Sequence, residues 1–370
     1  MRADAPGEAA PRGLSEAGRE QLSRICRSHL ERGYHSGAQL AVYRDGALAL
    51  DLRLGAAAGT TARMLWFSAT KPVTAVAALM LVERGRLALD QPLADLWPEF
   101  GRGGKEACTL RHVLTHRGGF PALGPDFDWD LVDDWEYCAA ETAAIPAAWP
   151  PGQATGYHPV TFGFALGELI RRVDGRMPRD FLREEIFQPL AMEASLGVDE
   201  DGLASVVRPE ALSEITWQDP QGTEARTSSV VRRFRLPGTL RAQIPAANGT
   251  GTAEALARFY AMLERGGALA GVRLLAEETV REATRVQHRT PLDRTTGLPG
   301  SYGWGPVVGG AFAPFDRAGV FGHPGQQCAI AYADPSLGLA VAYVTSGLHH
   351  PLVVQTRIEE VAEAAIEACR

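Results

Sequence analysis

The 370-residue chain lacks any apolar run long enough to cross a bilayer. Its longest, Val73 to Val82, falls far short of the roughly 20 residues that a membrane-spanning helix needs. The opening stretch, MRADAPGEAAPRG, also lacks the apolar core of a secretory signal. Dense basic clusters are missing too. With 37 Lys plus Arg against 44 Asp plus Glu the net charge is −7, which excludes a phosphate-tracking nucleic-acid surface. The five cysteines, at 26, 108, 138, 328 and 369, are odd in number and scattered, with no CxxC spacing. That pattern excludes a disulfide framework or a zinc knuckle and suits a reducing compartment. No GxSxG elbow occurs, which disfavours an α/β-hydrolase triad. His112 and His116 stand four apart, but no Glu follows the first and no third ligand is in view, so they do not read as a zinc site. Gly249, Thr250 and Gly251 do not extend to a dinucleotide fingerprint and read as a loop before a helix. These absences predict a soluble cytoplasmic protein with no metal, no cofactor, and neither nucleic acid nor membrane as a partner. The oligomeric state is left open. The acidic balance suits a neutral or cationic small molecule.

What is present, 45% hydrophobic and 22% charged residues, is enough to bury a sizeable core. After a flexible-looking leader at 1–13, Leu14 to Arg32 has helical apolar spacing, and Gln39 to Leu54 alternates around an Arg44, Asp45, Gly46 turn. From about Met64 to Pro178 the patterning is mainly helical, with Pro72 to Arg84 ending at Gly85 and Val160 to Val173 ending near Gly175. Alternation returns in Ala329 to Asp334 and Leu339 to Thr345, around a Pro335 to Gly338 turn, and a helix from Leu352 to Ala368 closes the chain. The predicted fold is mixed α/β (α+β). One antiparallel sheet is assembled from the two ends of the chain (about 14–65 and 300–370) and flanked by the terminal helices. A mainly helical subdomain is inserted at about 66–299, all within one domain spanning 14–370. Between Asp199 and Asn248 periodicity fades, and Pro220, Gly222, Pro237, Gly238 and Pro245 mark loops. The acidic, aromatic run from Asp126 to Tyr137 reads equally as a solvated helix start or a substrate lid.

Ser68 and Lys71 form an SxxK tetrad (SATK) at the start of a strongly apolar helix, on one face of it. A serine hydroxyl needs a base, and a lysine whose pKa is lowered by burial can serve as one. A chain of this length holds about one SxxK by chance, so the weight comes from position: an aromatic approach (Leu65, Trp66, Phe67) leads into what must be a core helix. Tyr157, in GYHPVTFG after the Pro150, Pro151, Gly152 turn, can project a phenol into a cleft as a proton relay. His323, Pro324 and Gly325 precede a strand; the glycine admits a close backbone approach to a ligand, and a following N–H can serve an oxyanion.

In this order SATK, GYHP and GHPG resemble the three motifs of the serine β-lactamase and penicillin-binding-protein superfamily, nearest its class C and carboxylesterase branch. Supporting stretches include LRHVLTHRGGFP, PPGQATGYHPVTFGFALGELIRRVDGR and FGHPGQQCAIAYADPSLGLAVAYV. The resemblance runs from about residue 15 to 365. It implies that Ser68 is acylated, that Lys71 and Tyr157 share base and acid duties, and that His323 lines the opposite wall. It further implies an oxyanion hole from the backbone N–H groups of Ser68 and Gln326. In the LTHRGGFP context His116 is expected to cap a helix and hydrogen-bond the loop; His349 and His350 read as surface.

Departures from the family pattern choose the reaction. The lactamases and peptidases carry Asn two residues after the tyrosine, and Lys, Thr or Ser, then Gly in the third motif; here Pro159, His323 and Pro324 stand there. Neither Pro159 nor a neutral His323 suits the amide and carboxylate of a β-lactam. A carboxylester hydrolase working through a Ser68 acyl-enzyme is therefore expected, on a small-molecule ester or acyl substrate. An acyltransferase of secondary metabolism using the same intermediate is the alternative, and a non-catalytic binding or sensor relative is a third reading. Gln326, Gln327 and Cys328 are expected to crowd or re-polarise the acyl pocket. Its candidate walls are Trp66, Phe127, Trp129, Trp304, His323 and Gly325, with Trp135, Trp217 and Tyr302 as further aromatics.

Overall fold

Strand Gly37–Arg44 turns through Asp45 and Gly46 into strand Ala47–Gly55. Both turn residues have positive φ, 47° and 78°, the pair that a type I′ turn requires and whose twist suits a hairpin. In the computed structural model, which describes residues 13–218, 224–310 and 312–370, this hairpin forms one edge of an eight-stranded antiparallel sheet. From the other edge the order is His288–Thr290, Gly300–Tyr302, Val307–Val308, Phe321–Gly325, Ala329–Asp334, Leu339–Thr345, then the hairpin. The two ends of the chain meet where Leu339–Thr345 pairs with Gly37–Arg44. The expected leader at 1–13 lies outside the described residues except for Gly13, as do Pro220 and Gly222.

Every residue of Gly37–Arg44, Ala329–Asp334 and Leu339–Thr345 is buried, because helices cover both faces of the sheet. On the outer face, helices Glu16–Glu31 and Pro351–Glu367 pack together, joined by the Ser15 N–H donating to the Ala368 carbonyl at 2.9 Å. Leu22, Cys26, Val361 and Ala365 form a core there with Leu40, Val42, Val341 and Tyr343. The inner face is covered by helix Ala253–Glu264, whose first N–H donates to Gln39 Oε1 at 3.0 Å and whose Glu254 accepts from the Tyr43 hydroxyl. By sequence this helix falls within the stretch expected to be the insertion, yet it belongs to the sheet layer. Ala47–Gly55 is half-exposed and carries the Asp51–Arg53 pair, charges that discourage edge-to-edge pairing.

Across the inner core lies helix Lys71–Glu83, buried at every position from Lys71 to Leu81, as its all-round apolar sequence demands. It packs against Thr161–Asp174, and Gly85 and Gly175, at φ 67° and 92°, end the two helices where the sequence places them. One short element departs from expectation. Gly249–Gly251 is the central strand of a small sheet between Met64–Leu65 and Ala194–Leu196. Its glycines are there for close packing: a Cβ at 249 would come 2.5 Å from Thr70 Oγ1, and one at 251 would come 2.6 Å from the Glu193 carbonyl. Glycine selected for contact hides the β pattern. Among the described residues no helix is long and apolar enough to cross a membrane.

Candidate active site

Ser68 sits in a single 3-10 turn, Phe67–Thr70, that runs into Lys71–Glu83, rather than at the start of the α-helix itself. Phe67 has φ 46°, a left-handed conformation uncommon outside glycine, and its ring is held by Phe234 at 4.8 Å. The turn is clamped from the side as well: the Gly249 N–H donates to Thr70 Oγ1 at 3.0 Å, and Thr74 Oγ1 donates to the Pro245 carbonyl at 2.6 Å.

One turn on, Lys71 is fully buried. Its ammonium donates to Ser68 Oγ at 3.2 Å, to the Pro159 carbonyl at 2.7 Å and to the Ala246 carbonyl at 3.1 Å. The Tyr157 ring centroid lies 4.7 Å from Nζ. No carboxylate pairs with it among the described residues, so burial alone acts and pushes its pKa well below the usual 10.5.

Tyr157 approaches from the segment before Thr161–Asp174. Its phenol is held above its usual pKa by burial, partly offset by a hydrogen bond with Ser68 and reinforced by the charge of Asp293. Asp293, absent from the sequence reading, anchors this segment: its Oδ1 accepts from the N–H groups of Tyr157 (3.0 Å), Thr295 (2.9 Å) and Thr296 (3.0 Å). Its Oδ2 accepts from the Tyr302 hydroxyl at 2.9 Å. Asp293 is buried while its neighbours from Pro291 to Pro299, Thr295 excepted, are exposed, so it pins an outer loop to the tyrosine. The only sequence signal was an Asx-turn pattern in DRTTG. Behind Tyr157, His116 Nδ1 accepts from the His158 N–H at 3.1 Å, and the His116 ring lies 4.6 Å from that of Tyr157. His116 thus hydrogen-bonds the loop as expected, but it follows helix Leu110–Leu114 at φ 57°. The capping bond at the front of that helix belongs to Thr109 and His112.

His323, Pro324 and Gly325 precede strand Ala329–Asp334 as expected, and they themselves form the end of a further strand, Phe321–Gly325. Beyond Gly322 this strand loses its partner Val307–Val308, so the missing N–H of Pro324 is tolerated and the unpaired edge lines a cleft. Gly325 does admit a close backbone approach, though to the chain itself: a Cβ there would collide with the Trp66 carbonyl beside Ser68. His323 Nδ1 lies 2.7 Å from the Pro324 carbonyl, which can only accept, so Nδ1 carries the proton and Nε2 is left as a buried acceptor without a partner among the described residues. Burial, aided by the Lys71 charge, pushes its pKa down to about 3. The Gln326 N–H likewise makes no hydrogen bond among the described residues. The Ser68 N–H is one of the first donors of the 3-10 turn, which have no partner inside it. Cys328 is buried, with its thiol pushed up to about 12, and stands outside the cleft that Gln326 and Gln327 line.

A cleft of about 760 Å³ opens beside Ser68 and Tyr157 and is walled by His323 to Gln327, the 289–302 segment, Phe312, Phe315 and Val354 and Ile358 of the last helix. Tyr302 lines it; the six other aromatics expected there do not. Trp66 is buried behind the turn, edge-on to Phe187 at 6.4 Å. Trp304 lies beneath the Arg111 guanidinium at 5.5 Å. Phe127 and Trp129 pack edge to face at 5.3 Å, and Trp129 takes Arg233 on its face at 3.8 Å. Their rings are satisfied within the helical part, and the 126–137 run passes through a 3-10 turn, Trp129–Leu131, to Asp134, which caps helix Trp135–Ala144. Of the other aromatics, Trp135 donates to the buried Glu168 at 2.8 Å and Trp217 lies in a small hairpin.

A Ser, Lys and Tyr cluster between the unpaired end of strand Phe321–Gly325 in an antiparallel sheet and a helical layer defines the β-lactamase and transpeptidase class of fold. The family model described as Beta-lactamase matches residues 22–366, and the chain belongs to that family. It is 34% identical over 357 residues to the esterase/beta-lactamase LipL of Mycobacterium tuberculosis, covering 86% of this chain and 79% of that protein. Among solved structures it is similar to a penicillin-binding protein homolog from Caulobacter crescentus, with TM-score 0.82 and 31% identity over 97% of this chain and 100% of the other. A family VIII carboxylesterase shares the fold, with TM-score 0.84 and 22% identity over 97% and 100%. The protein is thus a β-lactamase-fold member of an esterase and hydrolase family.

Proposed function

We propose that the protein hydrolyses carboxylic esters through an acyl-enzyme on Ser68. The observation that carries this reading is the fully buried Lys71, held 3.2 Å from Ser68 Oγ with no carboxylate among the described residues to keep it charged. As the neutral amine, Lys71 takes the Ser68 proton while Oγ attacks the ester carbonyl, and the N–H groups of Ser68 and Gln326 receive the oxyanion. Tyr157, kept as a phenol by burial, donates to the departing alkoxide and regains its proton from the Lys71 ammonium. Water then attacks the acyl-enzyme, losing its proton along the same relay, and the acid leaves. An alcohol in place of that water gives acyl transfer from the same intermediate.

The similarity to an esterase/beta-lactamase supports the class of reaction, and the loss of a side-chain amide at Pro159 and of a cation at His323 favours esters over β-lactams. Incubation with a p-nitrophenyl short-chain ester, followed by intact-mass analysis, should show an acyl adduct on Ser68 that Ser68→Ala abolishes. Nitrocefin should turn over far more slowly than the ester. Absence of an adduct with activated esters and fluorophosphonates alike would overturn the hydrolase, and a nitrocefin rate matching the ester rate would overturn the preference for esters. Added alcohol measures the share of acyl transfer.

A further inference from the structure

The chain carries a net charge of −7, yet no Asp or Glu lines the cleft beside Ser68 among the described residues. Among the described residues its one charged lining side chain is Arg289, on the outermost strand His288–Thr290. Side chains alternate along a strand. His288 turns toward Thr155, 2.7 Å away, and Arg289 projects to the opposite face, beside Ser301 and Gly309, where it makes no ion pair among the described residues. Between Arg289 and His323 lie three inter-strand steps, about 14 Å. That span is walled mainly by apolar groups, with Thr290, Thr296 and Ser301 as uncharged polar members. Leu298 and Phe312 keep 54% and 55% of their surface exposed at its mouth, and Val354 and Ile358 close it from the last helix. An acidic protein that leaves a long apolar channel open, free of carboxylates and ended by one unpaired guanidinium, is complementary to an amphiphilic anion.

Resting on the ester-hydrolase reading above, we infer that the substrate is an ester with an extended apolar body ending in an anionic group, carboxylate or equivalent, which Arg289 receives. This reverses the weak expectation of a neutral or cationic substrate that net charge alone suggested, because the field at the cleft is set by its lining and not by the sum over the surface. The ester bond is placed at Ser68, and the anion can sit on the acyl or on the alcohol portion.

Two ester series separate those sources. One varies the acyl group, comparing p-nitrophenyl half-esters of eight- to twelve-carbon dicarboxylic acids with their methyl-capped counterparts. The other varies the alcohol, comparing acetate esters of ω-hydroxy acids with those of alkanols of equal length. In one series kcat/KM for the anion should exceed that for its neutral partner by about tenfold or more. The ratio should collapse toward one in Arg289→Gln, invert in Arg289→Glu and return in Arg289→Lys. Independently of turnover, decanoate should raise the Tm of the Ser68→Ala protein more than decanol does, and that difference should vanish when Arg289→Gln is added. Equal rates for anion and neutral partner in both series, or an anion preference that survives Arg289→Gln, would overturn the inference while leaving the hydrolase intact. If the wild type turns over no ester at all, the hydrolase reading falls and the decanoate comparison alone decides the anion site.

Discussion

Two lysines in this protein are completely buried, and only one of them sits at the candidate site. Lys105 donates to the carbonyls of Arg102 (3.2 Å), Ala143 (3.0 Å) and Ile145, with the Phe100 ring centroid 4.9 Å from Nζ. Lys71 has nearly the same surroundings: two carbonyls and an aromatic ring, at 4.7 Å. Burial lowers both pKa values, that of Lys105 to about 8. The difference is the third partner, a carbonyl for Lys105 and the Ser68 hydroxyl for Lys71. A carbonyl can only accept, so Lys105 is a crosslink between a loop and the end of a helix. A hydroxyl can give up its proton, so for Lys71 the same burial becomes the means of receiving it. Desolvation prepares a lysine, and its partner decides whether that preparation is chemistry or architecture.

The strongest way to break this comparison is to substitute both lysines alike. Lys71→Met should lower kcat by about two or more orders of magnitude in p-nitrophenyl ester hydrolysis. Lys105→Met should leave kcat within about threefold. Lys71 works as a base only when neutral, and its pKa is held well below 10.5. The wild-type kcat/KM should therefore rise with pH through that lowered value and level off at a lower pH than an ordinary lysine would, and the rise should be missing in Lys71→Met. Equal kinetic losses in the two variants would show that burial, not the hydroxyl partner, matters.

The next effect in size concerns what holds the relay beside Lys71. Asp293 gathers three N–H groups on one oxygen and the Tyr302 hydroxyl on the other, and one of those N–H groups belongs to Tyr157. Asp293→Ala should lower kcat by about ten- to a hundredfold, the range expected when a reacting group shifts by about 1 Å, with KM changing about threefold or less. Asp293→Asn keeps the Oδ1 acceptor and should restore most of kcat. A variant that loses stability without this kcat-against-KM split, assayed well below its Tm, would reduce Asp293 to a structural pin.

Legibility in the sequence followed range. The hairpins at 37–55 and 329–345, the terminal helices, and the ends of two helices at Gly85 and Gly175 were all readable, because alternation, turn chemistry and capping act within a few residues. Ser68, Lys71, Tyr157 and His323 were readable because each sits in a short motif, and the structure brings those four together. Asp293 was not: its partners Tyr157 and Tyr302 come from other segments, and an Asx-type turn is all that shows locally. Lys105 was invisible for the same reason, since its acceptors at 143 and 145 lie on a distant helix end. The aromatics Phe127, Trp129 and Trp304 were placed at the cleft on chemical suitability alone, and they pack elsewhere because ring contacts within the helical layer satisfy them first. The Gly249–Gly251 strand was hidden because its glycines answer to Thr70 and Glu193, not to β propensity.

The smallest effect, and the sharpest for the crosslink reading, is the pH dependence of what Lys105 contributes to stability. Loss of its ammonium leaves three carbonyls without their donor, and Lys105→Met should destabilise by about 1–3 kcal/mol in chemical denaturation near neutral pH. The fold holds Lys105 at about 8 against its ordinary 10.5. Between those values the unfolded chain carries a proton that the native protein has released, so stability gained from this group rises with pH across that window. Below pH 8 both states are charged and the contribution is flat. The gap between wild type and Lys105→Met should therefore widen from pH 8 to pH 10. A gap that narrows over the same interval would mean that the native protein holds the proton of Lys105 more tightly than the unfolded chain does, the three carbonyls outweighing burial.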